Sequence, residues 1–175
     1  MSGIVGTNGG RSSGKVGSSA GGGKVLQVVS VNKTDIFTSN SPTAWEDVTG
    51  MAAAITCAAT SSKVLLTVSF AYVGSSANNT HFRIMRDTTA IAIGDARGSR
   101  QRAWFKPRRG TTQGAFVASI TFLDSPGSTD ALDYQLQVGG TDDTATMYIN
   151  KEHTDNDGYE HSTYCSTVTL MEIGA

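Results

Sequence analysis

The stretch "GGRSSGKV", residues 9–16, has residue types and spacing suited to holding a phosphate. Gly9, four residues, Gly14 and Lys15 follow most of G-x-x-x-x-G-K-[ST]. In that pattern backbone N–H groups cradle phosphates, the Lys reaches the outer ones and a hydroxyl binds magnesium. Val16 stands at the hydroxyl position, so the metal ligand is missing. The preceding "MSGIVGTN" offers a strand only Ile4 and Val5, and the following "GSSAGGG" is hostile to the helix whose N-terminus would help hold the anion. The residues therefore read against an NTP-binding loop.

A second stretch, "RGSRQRAWFKPRR", sets Arg97, Arg100, Arg102, Lys106, Arg108 and Arg109 around Trp104 and Phe105. Cations interleaved with aromatics suit single-stranded nucleic acid, through phosphate contacts and base stacking. The plainer reading is a strand whose aromatics turn inward and whose arginines face neighbouring acids. A net charge of -1 favours that reading. Arg97, Arg100, Arg102, Arg108 and Arg109 are then contacts to another subunit or partner, and no nucleic acid is expected.

A third stretch, "HTDNDGYEH", gathers His153, Asp155, Asp157, Glu160 and His161. Set on the calcium loop, its first ligand is His153, and Tyr164 stands where a closing Glu is needed. A solvated acidic turn is expected, with no metal and no cofactor. No nucleophile elbow and no H-E-x-x-H motif is present, so no catalytic residue is assigned. The many carboxylates of the C-terminal third leave a glycosidase pair as an open alternative. Trp45, Trp104 and Tyr159, with the acidic loop, are the candidate contacts if the chain binds a carbohydrate.

The elements that would position these residues are strands. In "KVLLTVSFAY", Val64, Leu66, Val68, Phe70 and Tyr72 share one face; in "LDYQLQV", Leu132, Tyr134, Leu136 and Val138 do. "AFVASITF" puts Phe116, Ala118, Ile120 and Phe122 together. Period two marks half-buried strands. Turn residues such as "TSNSP", "GSSANN", "DSPGSTD" and "GGTDD" separate them. About ten short antiparallel strands with no amphipathic helical window predict an all-β jelly-roll sandwich over residues 24–175. Phe70 and Leu136 are expected in its core.

Residues 1–23 form a separate Gly/Ser-rich arm in which "SGIVG" is echoed by "SGKVG". It reads either as a flexible tail or as an anchor ordered on a partner, with Ile4, Val5 and Val16 as apolar pegs. No signal-peptide pattern opens the chain and no apolar run reaches a membrane span, so synthesis in a cytosol without membrane insertion is expected. Cys57 and Cys165 are expected as small buried hydrophobes. Charge is split along the chain: residues 1–110 carry +8 and residues 111–175 carry -9. The two sets meet either within one subunit or across subunits, where complementary patches set register.

The runs "GKVLQVVS", "KTDIFTS", "WEDVTG", "SSKVLLTVSF", "RIMRDTTAIAIGDARGSRQRA", "FLDSP", "YINKEHTDND" and "STVTLMEI" resemble, in order over residues 23–173, structural proteins of tailed bacteriophages, marine ones especially. These are labelled tail-fibre or virion structural proteins. The resemblance implies a β-sandwich that trimerises on the virion, contacts other capsid or tail proteins and has no enzymatic activity. Location in the virion, after assembly in a host cytoplasm, follows from it. Without a coiled coil or shaft repeat, the forms it allows are a small knob, a short fibre or a decoration protein. The alternative is a module that binds host-surface carbohydrate as a receptor.

Overall fold

The computed structural model describes residues 23–40, 43–74, 80–107, 114–140, 146–154 and 156–174. Ile4, Val5, Val16, Arg108, Arg109 and Asp155 lie outside the described residues.

Ten strands follow one another: β1 (Lys24–Lys33), β2 (Phe37–Asn40), β3 (Glu46–Thr56), β4 (Lys63–Gly74), β5 (Thr80–Arg86), β6 (Thr89–Ile91), β7 (Phe116–Asp124), β8 (Ala131–Gly140), β9 (Thr146–Ile149) and β10 (Ser166–Gly174). Among the described residues no helix is long and apolar enough to cross a membrane. All pairings are antiparallel. One sheet runs β1-β10-β4, with β7 also on β4. The other runs β3-β8-β5-β6. After β1 the chain crosses to β3, returns to β4, crosses to β5 and β6, and then visits β7, β8 and β10 in alternate sheets. The first long strand thus lies beside the last. That strand order is the jelly roll expected from the sequence. Short β2 and β9 come from two of the crossings, pair with each other, and extend the first sheet from the C-terminal end of β4.

The inward residues are those the alternation selects. Phe70 and Leu136 are each 1 % exposed, and Val64, Leu66, Val68, Leu132, Tyr134 and Val138 are buried with them. Phe116, Ile120 and Phe122 of β7 face the same core but are half-buried. The reason is topological: among the described residues β7 pairs with β4 alone, and its other edge is left open.

Charged groups enter the interior where they can be satisfied. Asp124 at the end of β7 accepts from Arg86 Nη1 at 2.6 Å and from Tyr134 Oη at 2.7 Å, tying β7 to the opposite sheet. Glu172 of β10 accepts from Gln27 Nε2 and the Ala58 N–H, each at 2.7 Å. Of the two thiols, Cys57 is buried as expected, but Cys165 is exposed. It stands just before β10, whose buried positions alternate from Ser166, so Cys165 falls on the outward side.

Candidate functional site

The basic segment is not a strand. After β6 the chain turns through Ala92 (φ 52°) and Gly98 (φ 59°), and only Phe105 bridges back, to Phe82 of β5. The Phe82 N–H donates to Phe105 O at 2.8 Å, and the Trp104 N–H donates to Phe82 O at 3.0 Å. Trp104 and Phe105 turn inward as the plainer reading expected. Trp104 meets Phe70 edge-on at 5.9 Å, and Phe105 meets Tyr72 edge-on at 5.4 Å. The aromatics therefore weld this loop to the core.

The arginines do not behave as expected. Arg97, Arg100, Arg102 and Lys106 are exposed. Among the described residues no carboxylate pairs with any of them. Arg102 instead donates from Nε to Gly94 O at 2.9 Å, which pins the loop to itself. Arg100 Nα donates to Arg97 O at 3.3 Å, closing a turn. Between this loop and His81 of β5 runs a groove of about 500 Å³ lined by Ser99, Arg100, Gln101, Trp104 and Lys106.

The neighbouring outer face of the second sheet carries the opposite charge. Asp47, Asp87 and Asp133, with Gln135 and Gln137, line a smaller groove of about 350 Å³. Arg83 donates to Gln137 Oε1 at 2.8 Å, and Gln137 donates to Asp47 Oδ1 at 2.7 Å. The Arg83 guanidinium sits 4.1 Å from the Trp45 ring centroid. Gly139 lies under the same indole; a Cβ there would come within 2.8 Å of the ring. Trp45 is thus held by packing and by a cation–π contact. His81 is the register partner of Gly139, so the two tryptophans flank it. Tyr159, the third proposed carbohydrate contact, stands fully exposed in the loop after β9 with no ring contact to either tryptophan.

That loop is not simply a solvated acidic turn. Glu152, which no motif singled out, is buried at its base. It accepts from Tyr164 Oη at 2.7 Å and from the Ser162 N–H at 3.1 Å, and its other oxygen lies 2.7 Å from His161 Nδ1. Among the described residues no three His, Cys, Asp or Glu side chains converge on a metal position. The Tyr164 bond, then the His161 bond, hold the Glu152 carboxyl below its ordinary value. A folded-state value below the unfolded one contributes stability above the unfolded pKa of about 4.3, and loses it as pH falls through the folded value. Acidification from pH 5 towards 3 should therefore release amide protection around residues 161–164. Glu152→Gln should lower protection at pH 7 and flatten that pH response. An unchanged acid response in the variant would show that Glu152 does not hold the loop.

Compared with known protein families and with curated proteins, the chain matches none.

Proposed function

We propose that the protein is a non-enzymatic structural module that assembles with copies of itself into a homotrimer: a jelly-roll knob, short fibre or decoration protein of a virus particle. Residues 1–23 are its attachment segment to other virion proteins. The sequence resemblance supplies the virion setting and the number of subunits. The observation that supports association is the outer face of the first sheet.

Across that face the register lines up Val28, Met171, Leu65 and Leu123 in one apolar row. The next two rows, from Ser30 to Thr121 and from Asn32 to Ser119, contain only Ser, Thr and Asn. No ionisable side chain stands in the three rows, whereas the outer face of the other sheet holds Asp47, Arg83, Asp87 and Asp133. Hydroxyls pair across strands, Ser30 with Thr169 at 3.0 Å and Thr67 with Thr121 at 3.5 Å, so part of the polar surface is already satisfied. The face continues onto β7, whose edge from Phe116 to Leu123 is uncharged and, among the described residues, unpaired, with Val117 72 % exposed. Soluble proteins blunt such edges with charge or cover them. Among the described residues no charge stands on this edge from Phe116 to Leu123, and depletion of charge is the compositional mark of an interface core. A second copy, with the same neutral surface, is the occupant that fits.

Sedimentation velocity on the full chain should give about three subunits. A single Thr169→Lys change at the centre of the face buries an unpaired charge on association, a cost of several kcal/mol. It should leave a folded chain of one subunit. A wild type that stays monomeric at high concentration, or a Thr169→Lys variant that still sediments as the wild type does, would remove the assembly reading.

A further inference from the structure

We propose that the groove between His81 and the loop 99–106 binds an acidic oligosaccharide, a sugar chain bearing carboxylate or sulfate groups. The inference is independent of the assembly reading, which rests on the other sheet. Arg100 and Lys106 line the groove and are exposed, and among the described residues no carboxylate pairs with either. Of the described acids on this sheet, Asp47, Asp87 and Asp133 line the other groove. The positive groove is thus left for an anion from outside the chain.

The rest of the lining narrows the ligand. Ser99 and Gln101 offer neutral hydrogen-bonding groups, and Trp104 with Ala103 and Phe105 gives an apolar wall. The volume of about 500 Å³ is that of a small-molecule site, far more than a lone phosphate fills. Alternating apolar wall, amide, hydroxyl and cation matches a sugar ring, with one apolar face, hydroxyl edges and an acidic substituent. A nucleic acid fits less well. Base stacking needs free ring faces. Here Trp104 and Phe105 are engaged with Phe70, Tyr72 and Phe82.

The loop is built to hold this shape. Phe105 and Trp104 anchor it to β5, Arg102 ties it to Gly94, and the turn at Arg97–Arg100 presents Arg100 outward. The backbone that carries its cations is therefore positioned by the core rather than by the ligand, which reduces the ordering cost of binding.

The test is titration of the full chain, followed by calorimetry and by Trp fluorescence, with four probes: trigalacturonate, a hyaluronan tetrasaccharide, a sulfated heparin tetrasaccharide and a neutral maltotetraose, with oligo(dT) in parallel. At least one acidic sugar should bind, weaken with added salt, and exceed maltotetraose by tenfold or more. Arg100→Ala and Lys106→Ala, both at exposed positions, should each weaken it about tenfold without lowering the melting temperature. Binding to none of the acidic sugars, equal binding of maltotetraose, or unchanged affinity in both variants would overturn the proposal. So would tighter binding of oligo(dT) lost in the same variants. If the two changes alter the sedimentation coefficient instead of sugar affinity, the groove is a contact between copies and the proposal fails. Loss of assembly in Thr169→Lys with sugar binding retained would separate the two readings.

Discussion

Replacing Phe70 by Ala is expected to cost about 3–5 kcal/mol of unfolding free energy. Phe70 sits in the middle of β4, between β10 on one side and β7 on the other. Its ring is 1 % exposed and lies 4.8 Å from Phe82 and 5.9 Å from Tyr72 and Trp104. Neighbouring strands are fixed by their ladders, so the space left behind closes only partly, and a cavity term adds to the lost transfer energy. For a chain of this size the melting temperature should fall by about 2–4 °C per kcal/mol. Leu65→Ala on the opposite face of the same strand should cost under about 1 kcal/mol in the dissociated subunit, because its side chain points outward. A Phe70→Ala loss below about 1 kcal/mol would mean that β4 presents its other face to the core. The same substitution should also loosen the basic groove, since Trp104 leans on Phe70.

The contrast between Phe70 and Leu65 was legible in the sequence because burial on one face writes itself as period two. The same holds for Tyr134 and Leu136 against Gln135 and Gln137 on β8. Which strands pair was less legible. The register of β1 with β10 joins residues at opposite ends of the chain, and no local signal specifies it. Buried charge was hidden too. Asp124 in "FLDSP" and Glu172 in "LMEI" look like a turn residue and a solvated strand end, and only their partners 38 and 145 residues away reveal otherwise. The basic segment was half legible. Its aromatics turn inward as composition suggests, but Gly98 and Pro107 break the strand pattern, and among the described residues no carboxylate pairs with its cations. The groove needed His81, which the chain brings back from the preceding strand only through the Phe82–Phe105 bridge.

Removing the Asp124 side chain should cost about 3 kcal/mol, at the lower end of the range for breaking a buried ion pair. Its carboxylate is 9 % exposed, and it is shared by Arg86, whose side chain is 20 % exposed, and by the buried Tyr134 hydroxyl. Asp124→Ala leaves both donors without an acceptor, and the uncompensated groups set the penalty rather than the lost attraction. Asp124→Asn, which keeps an oxygen for Tyr134, should cost less, about 1–2 kcal/mol. Removing both charges as Arg86→Met with Asp124→Leu should cost less than Asp124→Ala alone, because no buried donor is left charged. Burial first, and then the bond to Asp124, push the Tyr134 hydroxyl far above the ordinary phenol range. A raised folded-state pKa gives stability that is complete below the unfolded value of about 10 and declines as pH rises beyond it. Alkaline unfolding should therefore begin above pH 10, with Tyr134 ionising only as the chain opens. Tyr134→Phe should remove that part of the alkaline slope at a cost of about 1 kcal/mol near pH 7. A loss under about 1 kcal/mol for Asp124→Ala, or a double variant no more stable than the single one, would show that the pair is solvated and does not clamp β7 to the opposite sheet.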